Sequence, residues 1–280
     1  MSSNTGTNEY FIGLEKLEEG KYLTYYSSGA SERASYLAEM AEKGYSFLQE
    51  FFQTDFEMPL MVLNKEDWEK RSEFPYGAIF SGNNCVHFPA NTNNPFLDTV
   101  QPIYESSPKH LQQKLIQIVG EKHPSKNGFN IFFDCKIVHE LTHVFLKNQN
   151  ILFGLHWFTE FFCDYANYAF LKRYEADYRD LLDLHEFMPS IMYTGGLSHA
   201  KYTRSEDFDR LYTGVGWLNL LWFYGRNMLG VLELYKVHGE GFIADVVNAY
   251  IPSNEVLVER LRSVNNTLGP WFKDWLTKNP

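Results

Sequence analysis

The chain has 280 residues, 44% of them apolar, and a formal net charge of −10, the composition of a globular unit of enzyme size rather than of a disordered segment. Its 25 basic residues form no cluster of the kind that tracks phosphates, and no run of about 18 uncharged apolar residues occurs, so neither nucleic acid nor a membrane is an expected partner. Three cysteines, Cys85, Cys135 and Cys163, cannot all pair within the chain, and MSSNTGTNEYFIGLEK lacks the basic and apolar regions of a secretory signal, so a reducing, cytoplasmic setting is expected.

Residues 1–9 read as a loose polar tail. KYLTYYSS (21–28) alternates and is aromatic, which predicts a strand. SERASYLAEMAEKGYSFLQEFFQ (31–53) predicts a long helix capped by Ser31, with an apolar face through Tyr36, Leu37, Met40, Tyr45, Leu48 and Phe52. MPLMVLN (58–64) is a short apolar strand. YGAIFSG and CVHFPA, within 76–90, read as two strands joined through the turn-forming SGNN. Beyond them the pattern is helical almost to the end. The expectation is therefore an α+β unit spanning 10–280. A mixed α/β lobe (10–149) precedes a mainly helical lobe (150–280), with a cleft between them.

FFDCKIVHELTHVFLKNQ (132–149) has helical apolar spacing through Phe133, Ile137, Leu141 and Val144, and it carries His-Glu-x-x-His at 139–143. A random shuffle of this composition yields that pentad about 2% of the time. On a helix His139 and His143 share one face, about 6 Å apart along the axis, and can converge on one Zn²⁺. Glu140 sits about 100° round from His139, placed to handle a proton of a metal-activated water rather than to ligate. A catalytic zinc site wants a third protein ligand and an open position. The pattern with a third histidine six residues after the second fails, because Gln149 stands there and Leu146 stands where a glycine is needed. The next candidate lies in HWFTEFFCDYANYAF (156–170), where Glu160 and Asp164 share a helix face. The turn residues Asn148, Asn150 and Gly154 let the chain reverse, and an antiparallel second helix would bring Glu160 to the metal.

HELTH followed 17 residues later by Glu160 and then Asp164 resembles the gluzincins, the thermolysin and aminopeptidase N type of zinc metallopeptidases. The resemblance implies a zincin-like fold, one zinc ion held by His139, His143 and Glu160, and Asp164 hydrogen-bonded to His139. A carboxylate on the outer imidazole nitrogen would fix the tautomer and raise basicity. Trp157 and Glu160 are similar to the W-x-x-E helix start of aminopeptidase-type members. YGRNMLGVLELYKVHGEGFIADVVNAY (224–250) is similar to their helix-loop-helix after the active site, in which a tyrosine starts the first helix; by that match Tyr224 would hydrogen-bond the developing oxyanion. GPWFKDWL (269–276) resembles their closing Phe-x-x-Trp segment. The chain departs from the family at YGAIFSGNN (76–84), the stretch nearest the aminopeptidase Gly-Ala-Met-Glu-Asn segment. It lacks the glutamate that binds a free amine, although it can still serve as the cleft's edge strand.

The implied activity is hydrolysis of peptide bonds in a peptide or protein substrate. Glu140 would be the general base and Tyr224 the oxyanion donor, with Tyr193, His199, Tyr202 and Tyr212 as competitors for that second role. Two alternatives stay open at this point: a zinc-dependent hydrolase of a non-peptide amide or ester, and a catalytically silent zincin-fold binding protein. His156 is a rival ligand that precedes the expected helix. Cys135 shares the histidine stripe but lies about 12 Å of helix rise from His143, so it reads as a buried hydrophobe. WLNLLWFYGRNMLGVLELY (217–235) reads as a core helix, interrupted by Arg226.

Overall fold

The computed structural model describes residues 10–18, 22–212, 216–247, 249 and 251–278. The tail expected at 1–9 lies outside the described residues. Five strands, β1 (Glu15–Lys16), β2 (Thr24–Tyr26), β3 (Leu60–Leu63), β4 (Phe80–Gly82) and β5 (Cys85–Pro89), form one mixed sheet in the order β1-β2-β3-β5-β4. The helices are α1 (Ser31–Phe52), α2 (Lys65–Glu69), α3 (Gln101–Ser106), α4 (Lys109–Val119), α5 (Pro124–Asp134), α6 (Ile137–Asn148), α7 (His156–Arg173), α8 (Glu175–Gly196), α9 (Phe208–Tyr212), α10 (Trp217–His238), α11 (Gly241–Val247), α12 (Asn254–Val264) and α13 (Leu268–Lys278). The architecture is α+β, dominated by helix.

The three inner strands are parallel, and α1 is the crossover from β2 to β3. The continuous apolar run of β3 follows from this position, because both of its faces are covered. Leu60 and Val62 join the main core, whereas Met61 and Leu63 join a smaller cluster with Trp68 and Cys85. β4 and β5 form an antiparallel hairpin across Asn83 and Asn84, both left-handed (φ 52° and 58°), which is the two-residue turn whose twist suits a hairpin. This hairpin leaves β4 as an edge strand.

The observed elements correct several expectations. α1 begins one residue earlier in its cycle than foreseen: Ala30 is the cap position, makes no side-chain capping bond, and Ser31 is already helical. Tyr36 is 44% exposed, because Ala34, Leu37, Ala38, Ala41 and Gly44 form the buried stripe instead. Small residues let α1 lie close to α6; a Cβ on Gly44 would come within 2.5 Å of Val138 Cγ2. The segment 132–149 is not one helix. It breaks at Cys135 and Lys136, between α5 and α6. Asp134, the last residue of α5, is clamped there by Arg33 of α1, whose guanidinium donates to both carboxylate oxygens at 2.6 and 3.0 Å and to the Pro89 carbonyl at 2.8 Å.

One apolar core runs from β2, β3 and β5 through α1, α6 and α7 to α13, so the sheet and the helical half are not separately packed. A second cluster lies between α3–α5, α8 and α10. Among the described residues no helix is long and apolar enough to cross a membrane.

Candidate metal centre

α6 is buried on nearly all sides, with α1 against Val138 and Leu141 and α7 against its polar face. After α6 the chain turns at Asn150, in the left-handed region (φ 53°), and returns as α7. The two helices run antiparallel: His143 meets Glu160, whereas the earlier His139 meets Glu160, Asp164 and Asn167 in turn. Thus a polar stripe at i, i+4 and i+7 in an otherwise apolar helix faces the histidines.

The imidazoles approach each other at 3.1 Å between their Nε2 atoms. Glu160 presents Oε2 to His139 Nε2 at 3.1 Å and Oε1 to His143 Nε2 at 3.4 Å. With one donor atom taken from each residue, all three lie within 4.8 Å of one another. Ligands at the usual zinc distances span tetrahedron edges of about 3.3 Å, so the donor set is nearly closed to that size. The chemistry of the set also fits: two imidazole nitrogens and a carboxylate suit zinc among the divalent metals.

Asp164 is fully buried and accepts from His139 Nδ1 at 2.6 Å, which holds the ring with Nε2 facing Glu160 and His143. The same Oδ1 accepts from the ammonium of Lys136. Asn167 Oδ1 accepts from the His139 backbone N–H at 3.3 Å, one of the first-turn donors that a helix leaves unsatisfied, and Asn167 Nδ2 donates to His185 Nε2 at 3.1 Å.

The electrostatics of this cluster favour positive charge. Burial pushes the His139 imidazole down, but Asp164 and Glu160 outweigh it and hold its pKa at about 10. Burial likewise raises Glu160, yet His143 and His139 hold it well below the usual carboxylate range. For Asp164 the burial effect is overcome by Lys136 and His139, which keep it ionised. A field that retains a proton so firmly between these groups is one that accepts a cation in its place.

A cavity of about 1370 Å³ opens over the cluster, and His139, Glu140, His143, Glu160 and Tyr224 all form part of its wall. Glu140 is 7% exposed; its backbone N–H donates to the Lys136 carbonyl at 3.0 Å, and among the described residues its carboxylate has no hydrogen bond. Edge strand β4 contributes Phe80, Ser81 and Gly82, and an apolar stretch comes from Phe132, Phe133, Met192, Trp217 and Leu221. Tyr224 lies two turns inside α10 rather than at its start, and its hydroxyl donates to Glu160 Oε2 at 3.3 Å. Gly239 ends α10 and α11 follows.

The rivals fall elsewhere. Tyr193 stacks on Trp222, Tyr202 is 39% exposed, and neither these two nor His199 reaches the cavity wall. The side chain of Tyr212 lies outside the described residues. His156 is exposed, with Asp209 Oδ1 2.8 Å from its Nδ1, and is no part of the cluster. Cys135 is wholly buried in the core, where burial pushes its thiol up. Sequence reasoning missed Lys136 and Asn167. Both could have been found by the stripe test, because Lys136 continues the face of His139 and His143, and Asn167 continues that of Glu160 and Asp164.

No protein-family model matches the chain, and no curated protein or solved structure matches it significantly.

Proposed function

We propose that the chain is a zinc-dependent metallopeptidase of zincin-like fold, with a peptide or protein substrate lying in the cavity beside α6. One observation carries the reading. Two histidines a turn apart and a glutamate from an antiparallel helix bring their donor atoms to 3.1–3.4 Å, in the wall of a cavity that also holds a carboxylate with no hydrogen bond among the described residues. When bound, zinc supplies Lewis acidity toward a carbonyl and a water acidified to a pKa of about 7.

The chain's own groups do the rest. His139, His143 and Glu160 would hold the ion, and Asp164 keeps His139 in the tautomer that offers Nε2. Glu140, in the wall and with its carboxylate free of hydrogen bonds among the described residues, takes the proton of the attacking water and returns it to the leaving amine. Tyr224 rests with its hydroxyl on Glu160 and turns that hydrogen toward the developing oxyanion. The cavity exceeds the 300–1,000 Å³ typical of small-ligand pockets, which favours a chain segment over a compact small molecule. Strand β4, at the sheet edge and in the wall, offers backbone groups to an extended peptide.

The test is Glu140→Gln. It should retain one equivalent of zinc and lose about 10²–10⁴-fold in turnover on a peptide panel. Full activity in that variant would refute the assigned base. Cleavage of small esters or amides by the wild type, with none of peptides, would refute the substrate class.

A further inference from the structure

We infer that Lys136 is a positioning residue for the metal site: its ammonium anchors the Asp164 carboxylate, and Asp164 in turn anchors His139. The inference rests on the metal-site reading above. Lys136 occupies the break between α5 and α6, three residues before His139, and is 6% exposed. A lysine at a surface turn normally sends its head to water along an extended stem. Here the head turns inward. Nζ donates to Asp164 Oδ1, lies 3.6 Å from Met228 Sδ and sits 4.9 Å over the ring of Phe132. Such a placement desolvates the ammonium and is stable only with a specific anionic partner.

Asp164 needs an anchor. Its Oδ2 is buried without a hydrogen-bond partner, so the whole orientation of the carboxylate is set at Oδ1. Only two groups are recorded at that oxygen among the described residues, His139 Nδ1 and Lys136 Nζ. His139 must stay aimed at the metal, so it cannot also be the sole support of the carboxylate that aims it. Lys136 supplies the second, independent point of attachment. Lys136 is the cap residue of α6 (φ −80°, ψ 10°), on the helix face it shares with His139 and His143, and its side chain reaches Asp164 on α7.

The test is a competition titration of zinc between a chromophoric chelator and five proteins: wild type, Lys136→Met, Lys136→Gln, Asp164→Asn and the double variant Lys136→Met/Asp164→Asn. Loss of an outer partner of a metal ligand costs about 10–100-fold in affinity. Asp164→Asn should fall in that range and Lys136→Met near its lower end. Lys136→Gln, which keeps an N–H donor, should fall between Lys136→Met and wild type. The double variant should bind no more weakly than Asp164→Asn, because Lys136 acts only through Asp164. A wild type that takes up no zinc overturns the metal reading itself. A zinc-binding wild type with Lys136→Met equal to it or tighter overturns the role of Lys136 alone. A double variant whose loss is the product of the single losses overturns it too. Circular dichroism of the metal-free proteins checks folding, and if Lys136→Met does not fold, Lys136→Gln in both backgrounds completes the same cycle.

Discussion

Two regions of this molecule bury an imidazole, with opposite results. On β5, His87 is wholly buried, stacks on Phe80 at 4.2 Å, and has the Tyr10 hydroxyl 3.0 Å from Nε2. Apolar rings surround it, and burial pushes its pKa down to about 4. Between α6 and α7, His139 is buried to nearly the same degree, but two carboxylates face its two nitrogens and hold it at about 10. His185 sits just behind that cluster and shows how local the effect is. Burial is the main influence on it, its ring stacks on Tyr168, and its pKa drops to about 3. Burial therefore makes a histidine a neutral packing residue unless the chain also pays to bury anions against it. The helix pair does so at Glu160 and Asp164, and that expense marks a candidate site better than the histidines do.

The comparison breaks most readily at its anions. Glu160→Ala should lose zinc on dialysis by more than the roughly 10–100-fold expected for an outer partner, because it removes a proposed ligand. Metal analysis reads the result directly, and full zinc retention would mean that another group completes the site. The two tyrosines should separate next. Tyr224→Phe should keep its zinc and lose about 10²-fold in turnover, the worth of an oxyanion donor, while Tyr10→Phe should change thermal stability and leave turnover alone. Equal activity in Tyr224→Phe would remove that residue from the mechanism.

Acid offers a third contrast. The unfolded chain protonates histidine near pH 6.5, whereas folded His87 waits until about 4 and His185 until about 3. Below pH 6.5 the unfolded state binds protons that the folded state refuses, so stability is complete above that value and declines as pH falls toward 4 and then 3. For His87 the loss is on the order of 3 kcal/mol. Denaturant melts between pH 7 and 4 should show it, and His87→Gln should flatten that slope. An unchanged slope in the variant would show that His87 does not carry the dependence. The smallest effect belongs to His156, exposed and paired with Asp209; His156→Ala should leave zinc content and turnover unchanged.

Much of the site was legible in the linear pattern because its chemistry is local. His139, Glu140 and His143 are fixed relative to one another by helix geometry alone, and Glu160 and Asp164 share a face by the same rule. The hairpin at Asn83 and Asn84 and the apolar run of β3 were equally readable, since turn chemistry and a doubly buried strand each leave a signature. The break at Cys135–Lys136 was not. Apolar spacing passes through it undisturbed, and no glycine or proline marks it. Its clamp is Arg33, more than a hundred residues away in sequence from Asp134. Tyr36 was misread for a related reason, since which stripe of α1 is buried depends on how closely α6 approaches at Gly44.

What the amino-acid order determined by itself is a helix able to present two imidazoles and a carboxylate on neighbouring lines, and a second helix able to present two more carboxylates. Those are consequences of a 3.6-residue repeat and require no knowledge of neighbours. Only the tertiary structure decided that the two stripes meet at 3.1–3.4 Å, that Tyr224 rather than Tyr193 or Tyr202 reaches the same cavity, and that the Lys136 ammonium ends on Asp164. Each of these depends on contacts between residues far apart in the chain, formed when the apolar faces of α1, α7 and α10 pack together, and no local periodicity encodes them.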